Sequence, residues 1–218
     1  MNLNFDFADI PDSYFETFAE TEKVNAKKTR AYKTKGRVTA RRATAETTLN
    51  EILPAVIEPG DAWHILSSGD IDSLSYLAHI VKTTPLDYCL FSTWCMAMED
   101  VKQLGRWLES GQIKKLDAYV GEIFPNQYTD EHAVLCETMR RHGGRVCVFK
   151  NHSKIFCCHA KNQNIVIESS ANINTNPRTE NTQITADAGL LLHHKTYFDG
   201  VRSFNRDFDQ WQPTQIAV

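Results

Sequence analysis

His152 and Lys154 stand two residues apart in the stretch NHSKIFCCHAKNQNIVIESSANINTNPRTEN, and Ser170, Asn172, Arg178 and Glu180 crowd the turn that closes it. On an extended strand the side-chain period is two, so the imidazole and the ammonium share one face. A buried hairpin needs only alternating apolar residues and a tight turn, which makes this polar group surplus to folding. Cleaving a phosphodiester without a metal takes a nucleophile, a cation for the non-bridging oxygens and a proton for the leaving alkoxide. Imidazole can serve as the first and the last, and the Lys154 ammonium as the second. Asn172 adds amide hydrogen bonds and Ser170 a hydroxyl. Glu180 is expected to orient His152 by accepting from its far ring nitrogen. Arg178 either clamps a phosphate or pairs with an acid. A His-x-Lys pair in isolation reads as a surface strand pair; the Ser-Ala-Asn turn and Glu180 shift the reading to a phosphate site.

The elements that must position these groups alternate along the chain. ATAETTLNEILPAVI reads as a helix ended near Pro54 or Pro59, AWHILSS as a strand, IDSLSYLAHIVKTT as a helix and LDYCLFST as a strand. MEDVKQLGRWLESG is helical up to Gly111, and KKLDAYVGEI is a strand. After a turn at FPNQYT, DEHAVLCETMRRHGG has acids at its start, Arg140 and Arg141 near its end and a glycine stop, all favourable to a helix. The strand RVCVFK delivers Asn151 and His152 at its carboxyl end. SKIFCCHA and NIVIESSA then flank a KNQN turn, TQITADAGLLLHHK reads as one more strand, and TYFDGVRSFNRDFDQW as a terminal helix. This order predicts an α/β domain over 45–218, a mixed, mostly parallel sheet with helices on both faces, and a site at strand carboxyl ends.

Charge separates residues 1–44 as an arm. Asp6, Asp9, Asp12, Glu16, Glu20 and Glu22 come first with no base; Lys23, Lys27, Lys28, Arg30, Lys33, Lys35, Arg37, Arg41 and Arg42 follow with no acid. Lys27, Lys28, Arg30, Lys33, Lys35 and Arg37 are candidate phosphate contacts, because clustered cations gain counterion release without a folded pocket; the alternative is a solvated helix face or a contact with a partner subunit. The net charge of −3 gives the whole chain no polyanion-binding character. The six cysteines form no Cys-x-x-Cys pair and sit mostly in apolar runs, as reduced core thiols do. Cys157 and Cys158 should point to opposite faces of a strand. No apolar run approaches a membrane span and no signal peptide opens the chain, so a cytoplasmic protein is expected, without a metal or other cofactor.

HSK followed by a hairpin, then SSAN and TEN, resembles the signature of the phospholipase D superfamily: His-x-Lys, a downstream Asp, Gly-Ser-x-x-Asn or a close variant, and a Glu or Asn beyond it. The resemblance is strongest over 146–185. It implies the α/β fold of that family and a metal-independent phosphodiesterase in which His152 forms a phosphohistidine, Lys154 and Asn172 hold the phosphoryl oxygens, and Glu180 assists. With a single signature, it further implies a homodimer whose two histidines meet at one phosphate. The basic arm favours nucleic acid, DNA before RNA, over lipid, and hence a nuclease; a non-catalytic nucleic-acid-binding or assembly protein is the alternative. The chain departs from the pattern at His159, where the family has Asp, at Ser169, where Gly is usual, and in a longer hairpin.

Overall fold

Runs of apolar and β-branched residues bounded by turn formers become strands here, and the segments with helical spacing between them become helices. The computed structural model describes residues 33–173 and 178–217, with side chains from Arg42 onward. Among these residues the strands are β1 Ala62–Ser67, β2 Tyr88–Thr93, β3 Leu116–Gly121, β4 Val146–Phe149, β5 Ile155–Ala160, β6 Gln163–Ser169 and β7 Glu180–Ala186. The helices are α1 Lys33–Ile52, α2 Ser73–Thr83, α3 Met98–Glu109, α4 Phe124–Gln127, α5 Thr129–Arg141 and α6 Ala188–Asp199.

The strands join in one sheet of order β1-β7-β6-β5-β2-β3-β4. Only β2, β3 and β4 run parallel. The pairs β2 with β5, β5 with β6, β6 with β7 and β7 with β1 are antiparallel. The sheet is therefore mostly antiparallel, which corrects the mostly parallel sheet expected from the alternation of elements. Two causes act. A helical crossover permits a parallel neighbour without requiring one, and α2 carries the chain from β1 at the far edge to β2 in the interior of the sheet. After β4 the chain turns back in short connections, which can join only antiparallel strands. At Lys161–Asn162 the connection is two residues long, since Ala160 pairs with Gln163.

The carboxyl-terminal region also differs from expectation. The strand stops at Ala186, and Asp187, still extended, accepts from the Leu190 amide at 2.6 Å and caps α6. Leucines read as strand therefore lie on a helix, and TYFD is its last turn. FPNQ, read as a turn, forms the short helix α4.

Both faces of the sheet are covered, as the sequence predicts. On one face Leu49, Leu77, Leu104 and Leu135 from the helices pack with Phe91, Phe156 and Ile167. On the other, Leu191 and Phe198 of α6 pack with Tyr88, Tyr119, Cys157 and Val166. Cys158 belongs to the first cluster and Cys157 to the second, as the strand period requires. Each fully buried Leu or Phe contributes roughly 1.5–3 kcal/mol of transfer free energy. Helix α1 is joined to α3 by an ion pair between Arg42 and the buried Asp100, and to α2 by Lys82 and Glu46 at 2.6 Å. Burial raises the Asp100 carboxyl to about 6, with Arg42 opposing the shift.

Candidate phosphate site at one end of the sheet

The carboxyl ends of β1, β2, β3, β4 and β6 and the amino ends of β5 and β7 meet at a single margin of the sheet. The His-x-Lys pair and the Ser-Ala-Asn turn both lie there. Their meeting depends on the hairpin: β5 leaves the margin just after Lys154, and β6 returns to it at Ser169, with Ile155 paired to Glu168.

Asn151 fixes the approach to His152. Its side-chain amide donates to Ser92 Oγ at 2.9 Å, Tyr119 O at 3.1 Å and Thr93 O at 3.2 Å. Its Oδ1 accepts from the Ser153 amide at 3.0 Å and from Ser153 Oγ at 2.7 Å. One buried side chain thus ties the ends of β2 and β3 to the loop before β5. Sequence reasoning noted Asn151 only as a strand end and assigned no role to Ser92 or Ser153. An amide immediately before His-x-Lys was the available signal.

His152 is exposed, whereas Lys154 is buried. Lys154 Nζ donates to His152 O at 2.5 Å and reaches His152 Nδ1 at 3.1 Å. An ammonium has no acceptor, so Nδ1 must accept, and in the neutral ring the hydrogen then lies on Nε2. Burial pulls the Lys154 pKa below the ordinary lysine range, opposed by Cys95 and Glu180. The His152 ring lies 5.7 Å from the half-buried Trp94 ring, tilted by 55°.

The closing turn is held by its own hydrogen bonds. Ser170 Oγ donates to Glu180 Oε2 and accepts from the Asn181 amide at 2.9 Å, while the Ser170 amide donates to Asn181 O at 2.9 Å. The Glu180 carboxylate therefore engages Ser170, and the hydrogen bond to the His152 ring comes from Lys154. Asn172 O accepts from the Ser73 amide at the start of α2, at 3.4 Å. Asn172 Oδ1 and Ser73 Oγ are buried without a hydrogen-bond partner among the described residues. Arg178 is exposed where the chain enters β7.

His159, where the pattern that the signature resembles carries Asp, has its Nδ1 2.7 Å from Asn164 Oδ1 across the hairpin. Of the basic candidates, Lys33, Lys35 and Arg37 fall on the backbone of α1. Lys27, Lys28 and Arg30 lie outside the described residues, as does the acidic stretch before them. None of the helices among the described residues is long and apolar enough to cross a membrane.

No family model matches the chain, and no curated protein matches it. Among solved structures it is similar to a polyphosphate kinase from Porphyromonas gingivalis, with 20% identity and a TM-score of 0.47 over 63% of this chain and 25% of that one. The chain spans about a quarter of that kinase. It is also similar to TrmBL2, described as an archaeal chromatin protein with a novel mode of DNA binding, with 9% identity and a TM-score of 0.45 over 95% of this chain and 70% of that one. At these scores the reading of the site rests on its own residues.

Proposed function

We propose that this end of the sheet binds the phosphodiester backbone of nucleic acid and that His152 cleaves it without a metal, in the manner of the phospholipase D superfamily that the signature resembles. One observation carries the reading: an exposed imidazole stands against a buried ammonium at the margin where the Ser-Ala-Asn turn closes. Lys154, taken out of water, gains more from an incoming anion than a solvated lysine does. An anionic oxygen is a stronger acceptor than a ring nitrogen, so a bound phosphate draws Nζ away from Nδ1. Once the ring proton resides on Nδ1, the Nε2 lone pair attacks phosphorus. The bond from phosphorus to the leaving oxygen breaks, and that oxygen takes a proton from the His152 of a second copy of the chain. Water then attacks the phosphohistidine and gives its proton to the His152 of the second copy, and the phosphorus–nitrogen bond breaks to free the first His152.

Nucleic acid is favoured over lipid by charge. Residues 43–218 hold 15 of the 24 Lys and Arg but 21 of the 27 Asp and Glu, so the folded body is acidic and the base-only stretch 23–42 must supply the attraction. DNA is proposed ahead of RNA, with one phosphate of the strand lying between the two copies of the site. A second reading, binding without cleavage, is favoured by the resting hydrogen bonds: Nε2 carries the ring proton while Lys154 holds Nδ1, and Glu180 is engaged by Ser170.

Labelled DNA and RNA incubated with the protein in EDTA and quenched in denaturant at mildly alkaline pH, where a phosphohistidine survives, separate the two. Cleavage with a covalent adduct, both lost in His152→Ala, supports catalysis. Salt-sensitive binding with intact nucleic acid and no adduct supports the second reading, and turnover of phospholipid without nucleic-acid affinity overturns both. For the shared site, mixtures of wild-type and His152→Ala chains should show activity proportional to intact wild-type homodimers. Undiminished activity per wild-type chain contradicts a shared site.

A further inference from the structure

Trp94 follows β2 directly, at the same margin as His152, and belongs to no part of the phosphate chemistry above. Trp94 packs on the core cluster yet is only partly buried; Trp107 of α3, by contrast, is 6% exposed and belongs to that cluster outright. Gly121 at the end of β3 makes room for it, since a Cβ there would lie 2.6 Å from Trp94 Cδ1 and 3.0 Å from Trp94 O. The backbone on either side is pinned. Thr93 O accepts from the Asn151 amide at 3.2 Å, and Cys95 O accepts from Thr93 Oγ1 at 3.0 Å. The Ile173 amide reaches the same Thr93 hydroxyl at 3.4 Å, which joins this backbone to the Ser-Ala-Asn turn. A flat apolar ring is therefore held at a fixed place beside the imidazole, with its ordering completed before any ligand arrives.

We propose that Trp94 is a stacking platform for an unpaired base next to the phosphate held by His152 and Lys154, so that the ligand is single-stranded nucleic acid or a frayed end rather than closed duplex. The inference rests on the nucleic-acid reading above and deepens it. An aromatic face accepts any base and attracts none that is still stacked and paired, which confers a preference for strand state without sequence specificity. Lipid and inorganic polyphosphate offer the phosphate but no ring, and gain nothing from the indole.

The test is fluorescence anisotropy in EDTA with the full chain and three labelled probes: oligo-dT, an abasic strand with the same number of phosphates, and a closed hairpin duplex. Wild-type protein is expected to bind oligo-dT more tightly than the abasic strand or the duplex. Trp94→Leu, which keeps apolar volume but removes the ring, should weaken oligo-dT by about tenfold and leave the abasic strand unchanged. Trp94→Phe should restore most of the difference, and an unchanged melting curve for Trp94→Phe shows that the fold around position 94 is intact. Equal affinity of wild type for oligo-dT and the abasic strand, or an equal loss on both in Trp94→Leu, overturns the platform while the phosphate site stands. Absence of binding to all three probes removes the nucleic-acid reading and this inference with it.

Discussion

The margin around His152 and the network under α6 around Asp117 use similar polar side chains in opposite ways. Asp117 is wholly buried, and its oxygens accept from Tyr88 OH at 2.8 Å, from the Arg145 amide at 3.0 Å and from Trp211 Nε1 at 3.0 Å. Arg145 donates to Tyr119 OH and Phe198 O and stacks 3.8 Å from the Trp211 ring. Lys195 meets Asp199 at 2.5 Å. Here charge answers charge under a cover of apolar side chains, and the result ties the carboxyl-terminal segment to the sheet. At the His152 margin the cation answers a neutral ring and a carbonyl, and the ring is exposed. A buried carboxylate that takes three donors serves folding, whereas a buried cation with no carboxylate bonded to it suits the anionic ligand proposed above.

The contrast can be broken by mutation, most forcefully at Asp117. Asp117→Ala strands three donors and leaves the Arg145 guanidinium buried without its nearby acid, so a loss of about 3–5 kcal/mol is expected in urea denaturation. A loss below about 1 kcal/mol would mean that the network is not holding the fold. Gly121→Ala comes next. Its Cβ would press on Trp94 and sit 3.1 Å from Asn151 O, at a cost of about 1–3 kcal/mol, and the near-UV circular dichroism should change as the indole moves.

Lys154→Met sharpens the comparison from the other side. Removing a buried ammonium with no carboxylate bonded to it should stabilise the protein by roughly 1 kcal/mol at neutral pH while abolishing phosphate affinity. The pH dependence has a defined sign. Because the folded-state pKa of Lys154 lies below the ordinary lysine value of 10.5, the unfolded chain binds the proton more tightly between the two values. Wild-type stability then rises with pH through that window, and the advantage of Lys154→Met shrinks as the wild-type lysine loses its charge. Parallel melts at pH 7 and pH 10 measure this, and an advantage that grows with pH would contradict it. The smallest effect on folding is expected at the exposed His152. His152→Ala should shift stability by less than about 0.5 kcal/mol while removing the phosphohistidine adduct altogether.

The segments of the candidate site were more legible than the order of the sheet. His152, Lys154, Ser170, Asn172 and Glu180 could be named because their chemistry is unusual for a hairpin and its turn, and the structure does bring their segments to one margin. Their partners were less legible. Glu180 was expected on the His152 ring and is bonded to Ser170, a choice between two nearby donors that spacing cannot make. Asn151, Ser92 and Trp94 gave little signal, since their importance comes from residues about 60 positions away meeting them across β2 and β3. The direction of the strands was read wrongly for the same reason: the local alternation around α2 suits either a parallel neighbour or a remote antiparallel edge.

By itself the sequence determined what is local. It specified most element positions, the opposite facing of Cys157 and Cys158, the separation of acidic and basic stretches, and the presence of a surplus polar turn, because side-chain period and charge are properties of neighbours along the chain. Only the tertiary structure decided which strand lies beside which, that Lys154 is buried against His152, and that Gly121 admits the Trp94 ring. Those outcomes depend on which surfaces exclude water together, and that competition is settled between segments far apart in sequence.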